Sequence, residues 1–429
     1  MDVSILDFGA NVNNRNNSVS IQNAIEFCYQ NGGGRVIVPE GTFVTGSITI
    51  KNNVYLYLEK NAVLLGSSNL DDYLFFSEKK NYINKINEPT YNNCDYDGKP
   101  AKYFIRAINA KAFGIMGSGI IDGNEQIYYG NITKWHIDGY FYPRIPLLYL
   151  ENCCEYILED ITLRNSAFWT CHMVGCHNAI INKINILNNT KLANSDGIDP
   201  DHCNNIHIKN CNISSADDCI VFKNTEAFKK YGPTHNILVE NCNLISTSAA
   251  IKFGTESVDD FYNIHIKNIK IEKSNRGISL QLRDSGNIYN TIFSNISIET
   301  RRFSPDYWWG RAEGIAITAV NRNENTTCGK IHDIEFNNIN INGENGIFIY
   351  GNNNIDNLIF NNVNVNLKET TSWSKDTYDL RPSTIGVIPG GVNVLYSNQD
   401  INIELTDFKY TIDNNIINNL NIENELTRK

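Results

Sequence analysis

The sequence predicts an all-β fold, a single-stranded parallel β-helix (solenoid) with a short N-terminal helical cap. Helical periodicity is nearly absent after residue 31, where short apolar segments are separated by Gly, Pro and Asn turns. From Glu151 onward a motif recurs in which Asn or Asp precedes an apolar residue, any residue and a second apolar residue. Repeats of this size with no intervening helix are typical of stacked β coils.

The repeat spacing also marks an insertion. The motif occurs at Asp160-Ile161, Lys183-Ile184, Asn210-Cys211, Asn241-Cys242, Asn268-Ile269, Asn295-Ile296, Asn338-Ile339 and Asn362-Val363. A second strand follows most copies, at Cys219–Phe222, Ala250–Phe253, Ile278–Leu282, Ile315–Thr318 and Ile347–Tyr350. One step is much longer than the others and contains residues 300–313, T-R-R-F-S-P-D-Y-W-W-G-R-A-E. Because insertions in solenoids tend to collect on the binding face, we expect this aromatic loop at the cleft.

The N-terminal region differs from the rest of the chain. Residues 19–29 carry apolar groups at helical spacing, and Gly32–Gly34 end that helix. Short strands are predicted at 35–38, 46–50 and 54–58. We expect residues 1–60 to form the cap and first coils of one domain that covers 1–429. The cap would protect a sheet edge that could otherwise pair with another chain.

Composition and charge exclude several classes of protein. The net charge of −10 gives no basic footprint, which argues against nucleic acid and membrane surfaces as partners. No apolar run is long enough to span a membrane, and no signal peptide is evident, so we expect a cytoplasmic protein, or a secreted one if a leader has been removed. The 11 cysteines lack paired C-x-x-C spacing, which favours reduced core residues over disulfides or zinc ligands.

Asp196, Asp217 and Asp218 form the candidate catalytic group. Coiling would bring their two short motifs together, and clustered carboxylates without basic partners would leave one protonated near neutral pH. Glycoside hydrolysis uses such a pair, with one carboxyl as proton donor and one carboxylate as base or nucleophile. The alternative is that D-G and D-D are turn residues with no catalytic role.

These motifs resemble those of glycoside hydrolase family 28, the polygalacturonase family. The similarity lies in N-S-D-G-I-D-P at 194–200 and A-D-D-C-I at 216–220, and extends to D-F-G-A at Asp7 and N-S-A-F-W-T-C-H at 165–172. It implies a right-handed parallel β-helix and an inverting hydrolase with no metal and no cofactor. Asp217 then matches the general acid, and Asp196 and Asp218 match the pair that activates water. Asn194 and His172 fall in segments that line the cleft of the family.

Two departures affect the expected substrate. The family's G-H-G histidine falls near Ser248, and its R-I-K motif, which binds a substrate carboxylate, falls near Ser279 and Gln281. Arginine and lysine elsewhere could replace that clamp, since a guanidinium holds a carboxylate bidentately. The candidates for substrate binding, besides Asn194 and His172, are Lys252, Arg276, Arg283, Trp309 and Arg311. Each charged candidate could instead belong to a solvated surface. Lys252 is expected to point away from the core, because it alternates with Ile251 and Phe253.

Three hypotheses follow from these features. The first is a glycosidase acting on pectic or related acidic oligosaccharides, but not a standard homogalacturonan hydrolase. The second is a polysaccharide lyase on the same fold, which would need Ca²⁺ and more oxygen ligands than the local sequence offers. The third is a carbohydrate-binding β-helix without activity. The sequence does not predict the oligomeric state.

Overall fold

The computed structural model describes residues 1–74, 102–139, 144–305, 307–398 and 400–413. The chain forms two compact units. The N-terminal unit comprises residues 1–216 and 230–232, and the C-terminal unit comprises residues 217–229 and 233–429. Among the described helices, none is long and apolar enough to cross a membrane. A single domain over 1–429 stays a prediction.

The described residues of the N-terminal unit form twenty short strands and one α-helix. The helix is α1 (Ser18–Gln30), and 3₁₀ turns cover Ile5–Phe8, Leu70–Asp72 and Glu125–Tyr128. The strands are β1 (Asp2–Ser4), β2 (Gly34–Val38), β3 (Gly41–Thr45), β4 (Ile48–Thr49), β5 (Val54–Leu58), β6 (Ala62–Gly66), β7 (Ile105–Ile108), β8 (Gly114–Gly117), β9 (Ile120–Asp122), β10 (Tyr129–Ile132), β11 (Ile137–Gly139), β12 (Leu148–Glu151), β13 (Cys154–Glu159), β14 (Thr162–Arg164), β15 (Cys171–Val174), β16 (His177–Asn182), β17 (Asn185–Leu187), β18 (Ile198–Asp201), β19 (Asn204–Lys209) and β20 (Asn212–Ser215).

These strands stack in three parallel series. One runs β1-β2-β5-β8-β13-β16-β19, the second β3-β6-β9-β14-β17-β20, and the third β4-β7-β12-β15-β18. Only β10 and β11 pair antiparallel among the described strands of this unit. Each coil therefore contributes one strand to each series, as the repeat predicts. The predicted parallel β-helix is confirmed.

The predicted helix is present as α1, one residue longer at each end. Its buried face consists of Ile21, Ala24, Ile25 and Cys28. The Gln22 side chain accepts from the Thr49 amide at 2.8 Å and donates to the Thr49 carbonyl at 3.1 Å. Thr49 lies on β4, the end strand of its series, so α1 supplies partners to backbone groups that would otherwise be open to another chain.

The C-terminal unit continues the same plan with longer strands. Its strands are β21 (Ile220–Asn224), β22 (Thr234–Ser246), β23 (Ala249–Ser257), β24 (Phe261–Ser274), β25 (Arg276–Leu282), β26 (Ile288–Thr300), β27 (Glu313–Ala319), β28 (Ile331–Gly343), β29 (Asn345–Gly351), β30 (Ile355–Leu367), β31 (Thr377–Asp379), β32 (Val387–Pro389), β33 (Leu395–Ser397), β34 (Ile403–Thr406) and β35 (Lys409–Ile412). A 3₁₀ turn covers Glu226–Tyr231. One series runs β21-β23-β25-β27-β29-β33, and β22, β24, β26, β28 and β30 form the adjacent sheet, which β34 and β35 complete.

The register confirms the insertion. Ile269 pairs with Ile296, 27 positions on, whereas Ile296 pairs with Ile339, 43 positions on. The additional residues form the loops between β26 and β27 and between β27 and β28. The rows of core residues therefore stay aligned. Phe293, Phe336 and Phe360 stack in that core with ring centroids 4.9 and 4.8 Å apart.

The first residues of the motif mark corners of the coil, which lie between short strands in the N-terminal unit and inside the long strands of the C-terminal unit. All eight first residues of the predicted motif adopt positive φ, from 52° at Asn362 to 60° at Asp160. Asn tolerates this left-handed conformation better than other residues with a side chain. In the C-terminal unit the amides also form a ladder, in which Asn268, Asn295, Asn338 and Asn362 each donate to the preceding member at 2.8–3.2 Å, beginning at Asn241.

The ten described cysteines are all free thiols, as expected from the sequence. Most are buried, and burial raises the pKa of Cys171 and Cys176, which suits small core residues rather than reactive thiols.

Candidate active site

Asp218 lies just before β21 and is held by three donors of the C-terminal unit. Lys252 Nζ is 2.7 Å from Oδ2, while Ser248 Oγ and the Ala249 amide donate to Oδ1 at 2.9 and 3.1 Å. The Asp218 side chain is only 1% exposed, against 17% for Lys252. All three donors stabilise the ionised carboxylate. Asp218 is thus a buried, fixed anion.

Asp217 has a different environment although it is the preceding residue. Its side chain is partly exposed, and its Oδ1 accepts from the Asp218 amide at 3.1 Å. Its backbone carbonyl accepts from Ser246 Oγ at 2.7 Å, which fixes the main chain. Unlike surroundings allow one of two adjacent carboxyl groups to act as a general acid and the other as a general base.

Lys252 corrects the premise that the acidic group has no basic partner. It lies on β23 and pairs in register with Ser279 of β25. Burial is the largest single effect and lowers the pKa of Lys252, but the charges of Asp218 and Asp217 and the hydrogen bond to Asp218 together outweigh it, so the pKa is raised above its usual value. Its outward orientation was predicted from the alternation along the strand, but its partner was not. Lys252 therefore stays charged at neutral pH.

A second ion pair lies nearby and was not predicted. Lys223 Nζ is 3.5 Å from Glu256 Oε2, with side-chain exposures of 4% and 19%. Burial raises the pKa of Glu256, but the charges of Lys223, Arg322 and Lys252 more than offset this and hold it at about 2. Both residues lie beyond the predicted strands 219–222 and 250–253, which the structure extends to Asn224 and Ser257, so only the charge itself was a signal.

The positions of the family's carboxylate clamp hold no charge. Ser279 is fully buried and Gln281 is 5% exposed, and Gln281 Nε2 donates to Ser279 Oγ at 2.9 Å. These two side chains satisfy each other, so neither position offers the cation that the R-I-K motif would supply. The departure read from the sequence is therefore a real difference in side-chain chemistry.

Asn194 and Asp196 occupy a rigid segment of the N-terminal unit. Asn194 has φ 57° and its Oδ1 accepts from Arg144 Nη2 at 2.7 Å. Arg144 is itself 2% exposed, and its Nη1 donates to the Ala193 carbonyl at 2.5 Å. Asp196 is 2% exposed, and its carbonyl accepts from the Thr170 amide at 2.9 Å. Arg144 was missed because nothing in the sequence relates it to residue 194.

His172 is a buried histidine on β15. Its Nε2 lies 3.2 Å from Asp201 Oδ2, and its ring makes edge contacts with Trp169 and Tyr149 at 4.8 and 5.4 Å. The side chain is 1% exposed, so a contact with substrate would require other groups to move aside. Its role in binding stays a prediction.

The four remaining candidates lie in the C-terminal unit and have internal partners. Arg283 is fully buried, and burial lowers its pKa to about 9 while Nη1 donates to Leu282 O and Thr318 Oγ1 at 2.8 and 3.0 Å. Arg276 is buried with Nε 3.2 Å from Glu313 Oε2. Arg311 donates to three loop carbonyls, from Trp308 to Gly310. Trp309, 45% exposed, is the most accessible of the four.

The comparisons with known proteins identify the family. Residues 60–384 match glycosyl hydrolases family 28. The chain belongs to this family. The fold and the resemblance predicted from the sequence are confirmed.

Individual relatives agree with this assignment. The chain is 28% identical to a probable polygalacturonase of Vitis vinifera, over 65% of this chain and 56% of the relative. It is 26% identical to exopolygalacturonase B of Aspergillus niger, over 63% and 60%. The family 28 exopolygalacturonase of Yersinia enterocolitica superposes with a TM-score of 0.68 and 19% identity, over 96% of this chain and 78% of that one, which supports the right-handed parallel β-helix. The family 28 chain thus spans less than two thirds of the length of these two sequence relatives.

Proposed function

We propose that this family 28 protein hydrolyses glycosidic bonds in galacturonate-containing pectic oligosaccharides with inversion at the anomeric carbon. Asp217 protonates the leaving oxygen, and Asp218 together with Asp196 activates the attacking water. The observation that carries the proposal is the contrast between Asp218, fixed as a buried anion by Lys252, and its partly exposed neighbour Asp217. A carboxylate base and a carboxyl acid are the two groups that the reaction needs.

Hydrogen bonds within the N-terminal unit support the proposal that Asp196 acts together with the Asp217 and Asp218 motif. Ser195 precedes Asp196, and its Oγ accepts from the amide of Ala216 at 3.4 Å. Ser215 Oγ also donates to the Ser195 carbonyl. Ala216 is the residue before Asp217. The segments that carry the two motifs are therefore hydrogen-bonded to each other at the residues that precede Asp196 and Asp217.

The occupied oxygens of Asp218 favour chemistry without a metal. A divalent cation such as Ca²⁺ takes six to eight oxygen ligands. Here the ammonium of Lys252 and two neutral donors already contact both Asp218 oxygens. The same contacts disfavour a lyase that depends on Ca²⁺ at this position.

The substrate proposal combines the relatives with the altered clamp. The sequence relatives are named polygalacturonase and exopolygalacturonase, which points to a galacturonate-containing substrate. Ser279 and Gln281 lack the charge that binds a carboxylate in the family, and losing such a contact costs on the order of 2–5 kcal/mol of binding. We expect weak action on plain polygalacturonate and better action on mixed or substituted oligosaccharides such as rhamnogalacturonan fragments. A cytoplasmic location remains a prediction.

The test is hydrolysis of a panel of pectic oligosaccharides, with reducing ends and product anomers followed by NMR. We expect Asp217→Asn to lower kcat by at least ~10²-fold, the usual scale of acid–base catalysis. Asp196→Asn and Asp218→Asn should do likewise, while Asp160→Asn, at an exposed corner position, serves as the matched control. Activity should survive EDTA.

Several outcomes would contradict parts of this proposal. Loss of activity with EDTA, or a product with an ultraviolet-absorbing double bond, would indicate a lyase. Absence of new reducing ends on every substrate would indicate a binding protein. Efficient cleavage of homogalacturonan that Lys252→Ala leaves unchanged would show that the altered clamp does not determine specificity.

A further inference from the structure

Arg381 and Trp309 form an exposed pair in the C-terminal unit that no sequence motif indicated. The Arg381 guanidinium carbon lies 4.8 Å from the centroid of the Trp309 ring. Both side chains are 45% exposed. Trp309 comes from the inserted loop and Arg381 follows β31, so the pair joins two segments 72 positions apart. An indole beside a guanidinium offers an apolar surface next to a cation.

Asp379 fixes the orientation of this guanidinium. Arg381 Nε donates to both Asp379 oxygens at 3.0 and 3.1 Å, and Nη2 donates to Oδ2 at 2.5 Å. The Asp379 side chain is fully buried, so its carboxylate cannot also face solvent. Arg381 Nη1 donates to none of the residues that the structure describes. One edge of the Arg381 guanidinium is therefore hydrogen-bonded to Asp379, and the other edge, which carries Nη1, remains available on the surface.

Positively charged side chains outnumber negatively charged ones around the Arg381–Trp309 pair. Arg276 Nη2 donates to the Asp379 carbonyl at 3.0 Å and its Nε contacts Glu313, whose Oε2 also accepts from the Arg311 amide at 2.6 Å. The guanidiniums of Arg276 and Arg381 contact the carboxylates of Glu313 and Asp379, and the Arg311 guanidinium lies near enough to interact electrostatically with both. Both carboxylates are buried, whereas Arg381 is exposed. The surface of this cluster presents positive charge.

This cluster is connected to the strand that carries the altered clamp. Arg276 begins β25, and Ser279 lies three residues further along it. Three residues of strand span roughly 10 Å. Because Arg276 donates to the Asp379 carbonyl, this strand links the clamp positions to the segment that carries Arg381. A cation in that position could compensate for the charge that Ser279 and Gln281 lack.

We propose that Arg381 and Trp309 form a subsite for a uronic acid, in which the free edge of Arg381 binds the sugar carboxylate and the indole packs against the sugar ring. This subsite rests on the proposed function because it assumes a pectic substrate. It names a specificity residue, Arg381, outside the family's clamp positions. The competing explanation is that Arg381 only anchors the inserted loop through Asp379.

The test measures binding in the Asp217→Asn background, where turnover is blocked. Galacturonate oligomers and their methyl esters are titrated by calorimetry into this protein with and without Arg381→Gln. Removing one exposed charge-assisted hydrogen bond should weaken binding of the acid about tenfold. Binding of the ester should change by less than about twofold, because its neutral group does not need the cation. Trp309→Phe should weaken both forms to a similar degree.

Arg35→Gln is the matched control. Arg35 is 48% exposed, pairs with Asp2 and lies 5.4 Å from the Tyr57 ring, so it resembles Arg381 but belongs to the N-terminal unit. It should leave both affinities unchanged. Equal weakening of acid and ester by Arg381→Gln, with a lower melting temperature, would show an anchoring role and overturn the subsite. Unchanged binding of the acid would overturn it as well. Failure of the proposed function is a separate result, namely no hydrolysis of any oligomer by the wild-type protein.

Discussion

Buried charges in the C-terminal unit depend on their partners. Asp218 is stabilised by Lys252, and Glu256 by Lys223, Arg322 and Lys252. A buried carboxylate that loses its cation is costly, so these pairs hold each other in the ionised state. The lysines therefore determine which carboxyl groups stay negative near the candidate site.

Glu256 provides a test of this dependence. Its pKa is about 2 in the folded protein against an ordinary 4.5, because the surrounding cations outweigh burial. A depressed pKa stabilises the fold above pH 4.5, and this contribution is lost as the pH falls from 4.5 towards 2. Glu256→Gln should remove that pH-dependent part, on the order of 3 kcal/mol. Urea unfolding at pH 6 and pH 3 should detect about 2 kcal/mol of it, since at pH 3 the folded carboxyl is still mostly ionised.

A surface glutamate serves as the control for this experiment. Glu272 pairs with Lys270 at 2.5 Å and is 37% exposed, so Glu272→Gln should leave the pH dependence nearly as in the wild type. If Glu256→Gln loses as much stability between pH 6 and pH 3 as the wild type does, the ion pairs around Glu256 do not stabilise the fold.

Single residues also show where sequence reasoning succeeds and where it stops. Alternation along a strand correctly placed Lys252 on the outer side, because side-chain direction is a local property with period two. The same reasoning could not tell that Arg283 is buried, since a guanidinium can be enclosed if carbonyls such as Leu282 O accept from it. Arg144 and Arg381 were missed because their partners are distant in sequence.

The asparagine corners are the elements most fully predicted by sequence. A left-handed residue at each corner shifts the alternation, so that in β22 two successive residues face outward before the inward-outward alternation resumes. Asn suits this position because it tolerates positive φ and its amide bonds the next coil. From the sequence, abundant Asn left two alternatives open, stacked ladders at the corners or a composition bias, and the bonds from Asn241 to Asn362 show a ladder in the C-terminal unit. Lys183 occupies one corner without Asn, and Asn210 there bonds Asn182 at 2.9 Å instead.

Asn295 is a suitable residue for measuring how much a corner asparagine contributes to the stability of the fold. It has φ 55°, donates to Asn268 at 3.1 Å and accepts from Asn338 at 3.0 Å. Asn295→Ala should lower the free energy of unfolding by about 1–2 kcal/mol, through lost hydrogen bonds and an unfavourable left-handed alanine. Asn295→Gly should cost less, since glycine adopts positive φ readily. Urea midpoints measure both.

Ser297→Ala is the matched control for the corner variants. Ser297 is exposed on the same strand, two residues away, and has an ordinary extended backbone. It should change stability by less than about 0.5 kcal/mol. If the alanine and glycine variants at 295 are equally stable, the left-handed conformation contributes nothing measurable.

The charge of the whole molecule affects how an acidic substrate approaches. The chain carries a net charge of −10, so a galacturonate oligomer is repelled at long range even if local cations bind it. Raising the salt concentration shortens the Debye length from about 30 Å at 0.01 M to about 8 Å at 0.15 M. We expect kcat/KM for acidic oligomers to rise severalfold over this range. Initial rates at subsaturating substrate measure it.

Methyl-esterified oligomers of the same length are the control, and their kcat/KM should stay constant. A fall in kcat/KM for the acidic oligomers with salt would mean that local attraction by the cationic residues dominates over the net charge. The net charge depends only on composition. This prediction could therefore be made from the sequence once the substrate class is proposed.

The repeat also predicted the fold of the whole chain better than it predicted the site. Coil stacking follows from short-range patterns, and the pairing of Ile269, Ile296 and Ile339 agrees with the spacing of the motif. The site needs contacts between segments that the pattern does not relate, such as the inserted loop and the chain after β31. Substrate recognition is therefore the part least accessible from sequence.

The constant register across the long step between β26 and β28 has an engineering consequence. The pairs from Ile288–Ile331 to Thr300–Gly343 keep one offset throughout, although the coil between them is longer than its neighbours. Length changes in the loops are therefore absorbed locally and do not propagate into the stacked rungs. We therefore expect that loops from other family members can be grafted between β26 and β27 to alter sugar preference without shifting the rungs, provided that anchoring contacts such as the one from the Arg302 amide to Glu344 are kept.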